Sequence, residues 1–232
     1  MIITGGNRGI GRQVALEFAR ATDHPLFLIA RDREALTAVK NECREAGSAA
    51  VETAVCDLAD ADSIRSLDLP DSLPKPGVLV NNAGSFLLKK LEQTELGEFE
   101  LQLAVDVLGP FQLIKKFLPR LKQQERGLIV QISSVGALTG QPRSGAYSSA
   151  KHAALGLSRS LRLELKDTKI AVTAINLGQT MSTSWEGIDV DPDELIDPAD
   201  IGKLIVLLTR LSPRTVAEEI TVRPQRGDRS PD

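Results

Sequence analysis

Short apolar runs alternate with amphipathic stretches along almost the whole chain, and this alternation restricts the fold more than any other feature. The apolar runs fall at residues 1–4, Leu26–Ala30, Ala49–Cys56, Val78–Val80, Leu128–Ile132, Ile170–Ile175 and Glu219–Val222. Between them lie helical patterns. The first carries Val14, Leu16, Phe18 and Ala19. Residues 32–46 place Leu36, Val39 and Cys43 inward. A third helix is cut short by Pro70, Pro74 and Pro76. Glu98–Lys122 reads as a long helix with a break near Gly109-Pro110, and residues 145–166 and Pro198–Leu211 complete the set. Strands alternating with helices predict a parallel, doubly wound sheet with right-handed crossovers and helices on both faces. Such sheets bind ligands beyond the carboxyl ends of their strands. Gly5, Asp57, Asn81 and Ser134 all fall at such ends.

The composition narrows the function classes. A chain of 232 residues with 42% apolar content reads as one α/β domain with a sizeable core. The net charge is −3 and there is no long basic run, which argues against nucleic acid or an anionic membrane as partner. No apolar run reaches membrane-spanning length. Met-Ile-Ile leads straight into Thr-Gly-Gly, without the charged and apolar regions of a signal peptide. Cys43 and Cys56 fit a reduced, cytoplasmic protein and fall short of a metal site. His24 and His152 lack ligand spacing, so no metal is expected.

The first strand-to-helix turn reads Thr4-Gly5-Gly6-Asn7-Arg8-Gly9-Ile10-Gly11. Glycines let the backbone approach a ligand closely, and the helix N-terminus offers unpaired N–H groups to a phosphate. The second strand ends in Ala30-Arg31. An acid there would bind adenosine ribose hydroxyls, whereas an arginine accommodates a 2′-phosphate. Arg8 and Arg31 together favour NADP over NAD, with Asp32 the competing residue. Asp57-Leu58 closes the third strand, where Asp57 can accept a bond from an adenine amino group. The alternative for Asp57 is a helix cap, a task that Asp60 fits better. Asn81-Asn82-Ala83-Gly84 closes the fourth strand, and its small residues suit backbone packed on a ribose.

The fifth strand delivers Ser133-Ser134. Tyr147, the only tyrosine, and Lys151 follow on one face of a helix. A cation one turn from a phenol favours the phenolate, and a phenol tuned in this way exchanges a proton with a substrate oxygen. Ser134 can hold that oxygen by hydrogen bond. Residues 179–197 form a polar loop, read as a lid over the substrate. It holds the only tryptophan, Trp185, and six acids without a base: Glu186, Asp189, Asp191, Asp193, Glu194 and Asp197.

In their order and spacing, Thr4-Gly5-x-x-x-Gly9-x-Gly11, Asp57, Asn81-Asn82-Ala83-Gly84, Ser134, Tyr147-x-x-x-Lys151 and Asn176-x-Gly178 resemble the short-chain dehydrogenase/reductase family over nearly the whole chain. The resemblance implies a seven-stranded Rossmann-type sheet and hydride transfer with NAD(P)(H). It makes Tyr147 the general acid/base and Ser134 the carbonyl anchor. Lys151 would hold the nicotinamide ribose, and Gly178 and Thr180 would join the cofactor contacts. It further implies a homodimer or homotetramer. The chain departs from the pattern in four places. Asp106 stands at the family's catalytic asparagine, which puts the water relay behind Lys151 in question, because an ionised Asp only accepts hydrogen bonds. Leu177 replaces the usual proline, Gly77 replaces the usual acid, and the first strand is short.

Within the family, residues 214–228 and the placing of Trp185-Glu186-Gly187 resemble bacterial sepiapterin reductases. A flat pterin would stack on Trp185, and its aminopyrimidine edge would donate to Asp228. The alternative for Trp185 is a lid residue packed on the core. The expected activity is therefore NADPH-dependent reduction of a small carbonyl substrate, with a sepiapterin-like pterin as candidate. Alternatives are a broad carbonyl reductase or alcohol dehydrogenase, and a non-catalytic NADP-binding regulator. A 3-oxoacyl-carrier-protein reductase fits less well, because the acidic lid would repel an anionic carrier.

Overall fold

Short, almost continuously apolar runs, covered on both faces by helices, form the central layer of the molecule. The computed structural model describes residues 1–185 and 187–228. Its strands are β1 (Ile2–Thr4), β2 (Leu26–Ala30), β3 (Val51–Val55), β4 (Val78–Asn81), β5 (Gly127–Ser134), β6 (Ile170–Leu177) and β7 (Glu219–Val222). They form one sheet in the order β3-β2-β1-β4-β5-β6-β7, and every pairing is parallel. The order reverses direction between β1 and β4, which opens a crevice at their carboxyl ends.

Alternate residues of the strands feed two separate cores. Ile3, Leu28, Val80, Val130 and Ile175 pack under α1 (Gly9–Ala21), α2 (Arg33–Glu45) and α7 (Pro198–Arg210). Ile2, Phe27, Leu79, Ile129 and Val172 pack on the opposite face. They meet α3 (Ala61–Ser66), α5 (Gly109–Leu121) and α6 (Gly145–Glu164) there. A one-residue slip in any strand would exchange the two cores. Among the described residues, no helix is long and apolar enough to cross a membrane.

Several helices start where a carboxylate can accept from their first free N–H groups. Asp32 accepts from Ala35 N, Asp60 from Asp62 N and Asp197 from Ala199 N. Asp32 is therefore occupied as a cap, and Asp60, not Asp57, starts α3. Helix α4 (Leu96–Leu103) opens with a reciprocal capping box of Glu95 and Glu98.

The long helix expected over Glu98–Lys122 differs in one respect. It runs from Leu96 to Leu121 without a break at Gly109-Pro110. Instead, Ala104–Leu108 forms a π turn between α4 and α5. The cause is local. Pro110 has no N–H to give to the carbonyl four residues back, and Gly109 N–H reaches Ala104 O, five residues back. The extra residue in that turn carries Asp106 inward, where it is 1% exposed. The lid is also more ordered than an open loop. It contains short 3₁₀ turns at Thr183–Trp185 and Pro192–Glu194 and a bridge between Thr180 and Ile196. Glu186 lies outside the described residues.

Phe117 of α5 is fully buried against β4 and β5. Phe117→Ala is expected to lower stability by about 3–5 kcal/mol, read as a fall in the urea midpoint at unchanged slope.

Candidate active site

Thr4 joins the glycine turn to the end of β4. Its hydroxyl oxygen accepts from the backbone N–H of both Asn82 and Ala83, each at 3.0 Å. It donates to Val80 O at 3.4 Å. Asn82 returns the contact, its Nδ2 donating to Thr4 O at 2.9 Å. Gly5 lies in the left-handed region at φ +63 and is pinned to β2 by Gly5 N–H donating to Ile29 O at 2.7 Å. A side chain at Gly11 would collide with the Gly5 carbonyl and stand 2.5 Å from Asn82 Nδ2. Asn7, Gly9 and Ile10 are half-buried around this turn.

This crevice fits a nicotinamide dinucleotide. Helix α1 begins at Arg8 with no side-chain cap and no acid in its first turn, unlike the capped helices above. Its free N–H groups therefore face the crevice with an uncompensated positive end. Arg8 and Arg31 are exposed at the ends of the neighbouring strands β1 and β2, and neither forms an ion pair among the described residues. Asp57 Oδ1 accepts from Ala59 N, which fixes the turn after β3. Leu58 packs under Gly109, where a Cβ would stand 2.7 Å from Leu58 O.

Ser134, Tyr147 and Lys151 meet at the ends of β5 and β4. Ser134 Oγ accepts from Gly136 N at 3.0 Å. A Cβ placed on Gly136 would stand 3.3 Å from Tyr147 Cε1 and 3.4 Å from Ser134 Oγ, so the serine and the phenol flank one small residue. Lys151 Nζ lies 5.5 Å from the centre of the Tyr147 ring. The same ammonium pairs with Asp106 Oδ1 at 2.8 Å, the side chains being 7% and 0% exposed. Burial opposes the charge on Lys151, but Asp106 and Tyr147 outweigh it and hold the ammonium above its ordinary range. The second oxygen of Asp106 accepts from Gln102 Nε2 at 2.5 Å and from Ser85 N at 3.4 Å. Gly84 makes room for the pair, since a Cβ there would stand 2.8 Å from Asp106 Oδ1.

Three of these residues escaped the sequence reading: Phe86, Gln102 and Ser85. Phe86 is 51% exposed and sets its ring on edge against Tyr147 at 5.0 Å and 78°. Its one sequence signal was an aromatic side chain two residues past the Asn-Asn-Ala-Gly turn. Gln102 and Ser85 carried none.

The lid begins beside the site. Gly178 and Thr180 follow β6, and Ser182 approaches Gly9. Trp185 Nε1 donates to Thr180 O at 3.0 Å, so the indole N–H closes the lid on its own root. Asp228 accepts from Gln179 N at 3.0 Å and pairs with Arg223. The C-terminal segment is thereby latched to the turn after β6, and both carboxylate oxygens are engaged within the chain. Among the described residues no group of three His, Cys, Asp or Glu is placed to hold a metal ion.

Thr4→Val leaves two backbone N–H groups of the β4 turn without their acceptor. The expected loss is about 2–4 kcal/mol of stability in urea unfolding, whereas Thr4→Ser should retain most of it.

A family model described as short chain dehydrogenase matches residues 1–191. A sepiapterin reductase of Chlorobaculum tepidum is 31% identical over 237 residues, covering 98% of this chain and 97% of the relative. The structure is similar to a metagenomic short-chain oxidoreductase solved in complex with NADP. That likeness has a TM-score of 0.82 and 29% identity, over 97% of this chain and 96% of the other. It is also similar to an alcohol dehydrogenase of the archaeon Thermococcus sibiricus complexed with 5-hydroxy-NADP. There the TM-score is 0.84 and the identity 28%, over 100% of this chain and 97% of the other. The sheet order, the glycine turn, the Ser134, Tyr147 and Lys151 constellation and these likenesses agree, and the chain is an oxidoreductase of the short chain dehydrogenase family that binds a nicotinamide cofactor.

Proposed function

We propose that this oxidoreductase uses NADPH to reduce a ketone or diketone to an alcohol, and that its substrate is a sepiapterin-like pterin side chain. The observation that carries the reading is the placement of Tyr147, between Ser134 at the end of β5 and the ammonium of Lys151. When bound, the nicotinamide supplies a hydride, which gives the carbonyl carbon its two electrons. Ser134 donates a hydrogen bond to the carbonyl oxygen and holds it beside Tyr147. The Tyr147 hydroxyl gives its proton to that oxygen, so that C=O becomes CH–OH. Lys151 holds the nicotinamide ribose and steadies the phenolate left behind. Gly5, Gly9, Gly11 and the uncapped start of α1 receive the pyrophosphate. Asp57 and Leu58 meet the adenine, Asn82, Ala83 and Gly84 the ribose, and Gly178 and Thr180 the nicotinamide end.

NADP is preferred over NAD on the ground that Arg8 at the start of α1 and Arg31 after β2 form no ion pair among the described residues, while Asp32 is occupied as a helix cap. The pterin reading draws on the likeness to the Chlorobaculum enzyme and on two aromatic side chains near the site, Trp185 and Phe86. With its N–H bound to Thr180 O, Trp185 offers a ring face for stacking. Asp228 would accept from the pterin only by sharing oxygens already bonded to Gln179 and Arg223. A broad carbonyl reductase is the second reading, favoured by the likeness to the Thermococcus alcohol dehydrogenase over the whole chain. The resemblance to the family implies a homo-oligomer. Leu101, Leu108 and Phe111, exposed along the α4–α5 stretch, support it.

The test is NADPH oxidation with sepiapterin beside diacetyl and an aromatic diketone. The pterin reading expects sepiapterin to have the highest kcat/KM, and turnover of simple diketones alone would replace it with the broad reductase. Tyr147→Phe should lower kcat by about 10²–10⁴-fold while NADPH still binds by fluorescence titration. Arg31→Ala should raise KM for NADPH at least about tenfold and leave KM for NADH unchanged, a charge-assisted bond to the 2′-phosphate being worth about 1.5–3 kcal/mol.

A further inference from the structure

A lysine that is to act on a neighbouring phenol does so through its net charge. In this chain that charge already has a partner. Asp106 Oδ1 lies 2.8 Å from Lys151 Nζ, both side chains are buried, and no water-sized spacing separates them. The carboxylate is not a loose end. Gln102, one turn earlier, donates to its other oxygen at 2.5 Å. The same Gln102 Nε2 donates to Ser85 O at 2.8 Å, and Ser85 N faces Asp106 Oδ2 at 3.4 Å. The π turn points Asp106 inward, and Gly84 leaves the space it occupies.

We infer that Gln102 and Asp106 are positioning residues that offset the charge of Lys151, so that Tyr147 keeps its proton and the site is biased toward carbonyl reduction over alcohol oxidation. The argument is electrostatic. With Asp106 present, Lys151 has an anion at contact distance and gains little from a second one. With Asp106 replaced by a neutral isostere, the phenolate of Tyr147 becomes the nearest anion that can face the buried ammonium, and its formation is favoured. Reduction consumes a proton held on the phenol. Oxidation of an alcohol requires that the phenol has already lost it. A carboxylate behind Lys151 therefore favours the first direction and delays the second to higher pH.

Among the described residues, the other groups around Tyr147 do not supply a competing charge. From the loop after β4 it meets the apolar edge of Phe86. From the end of β5 it meets Ser134, across Gly136. Lys89 on the same loop is closed on Glu98 at 2.7 Å. His152, on the helix of Tyr147, turns its Nδ1 back to Ser148 O at 2.8 Å.

The inference rests on Tyr147 as proton donor, and its test needs neither substrate nor cofactor. Tyr147 is the only tyrosine in the chain, so the rise of tyrosinate absorbance near ~295 nm reports one residue. The apoprotein is titrated as wild type, Asp106→Asn and Asp106→Asn/Lys151→Met. The tyrosinate rise in Asp106→Asn is expected at a pH lower by about one unit or more than in the wild type, and the second substitution should cancel that shift. Gln102→Leu, which removes the donor that aims the carboxylate at Lys151 and so weakens the ion pair, should move the rise the same way by less. It serves as the primary variant if Asp106→Asn does not fold. A coincident rise in wild type and variant would overturn the inference, as would a shift that persists without Lys151. Because no turnover is measured, failure here is separable from failure of the reductase reading.

Discussion

The ion pair between Lys151 and Asp106 is the contact on which the geometry of the reactive groups depends. Taking an ammonium and a carboxylate out of water carries a penalty of several kcal/mol for each ion, and only close pairing with further hydrogen bonds offsets it. The structure meets both conditions. The ions touch at 2.8 Å, and Gln102 and Ser85 occupy the remaining oxygen. Three unrelated segments must be in register for this to happen: the turn after β4, the π turn and helix α6. The pair therefore couples the positions of Gly84, Asp106 and Tyr147, which are far apart in the chain.

The second constraint is the joining of β1 to β4 through Thr4. A strand of three residues is a weak anchor for a ligand-binding turn. Here one hydroxyl collects two backbone N–H groups of the neighbouring turn, and Asn82 closes the circuit. The glycine turn is thus held by the same segment that carries Gly84 into the Lys151 pair. The glycine turn and the Lys151–Asp106 pair share one support. The helix starts follow the same economy. Carboxylates cap α2, α3, α4 and α7, whereas α1 and α6 start without a side-chain cap or an acid in the first turn.

The strands, their order along the chain, and the places of Ser134, Tyr147 and Lys151 were legible because short continuous apolar runs and period-3.6 patterns record burial directly. Asp60 as a cap and the glycine turn carry local signals too, whereas Asp32, read as a competitor for the ribose, is a cap in the structure. What escaped is tertiary. A π turn leaves no mark in hydrophobic periodicity, and Gly109-Pro110 signalled a break one turn away from where the ladder opens. Gln102 read as an ordinary helix residue, since its partners Ser85 and Asp106 meet it only through the fold. Phe86 lay in a loop, where no period fixes direction. The identity of Asp106 as a departure was visible. Its direct contact with Lys151 was not, because an Asp at that position is equally compatible with an interposed water. Trp185 and Asp228 were expected to meet the substrate, and their bonds to Thr180, Gln179 and Arg223 are long-range or depend on lid geometry that sequence does not encode.

A double-mutant cycle on the apoprotein tests the central pair most directly. Urea unfolding of wild type, Asp106→Asn, Lys151→Met and the double variant isolates the energy by which the two side chains depend on each other. The account predicts a coupling of at least about 2 kcal/mol, with the double variant more stable than the sum of the single losses allows. A coupling near zero would mean that the two charges do not hold each other in the folded protein, and would contradict the arrangement from which the site is built.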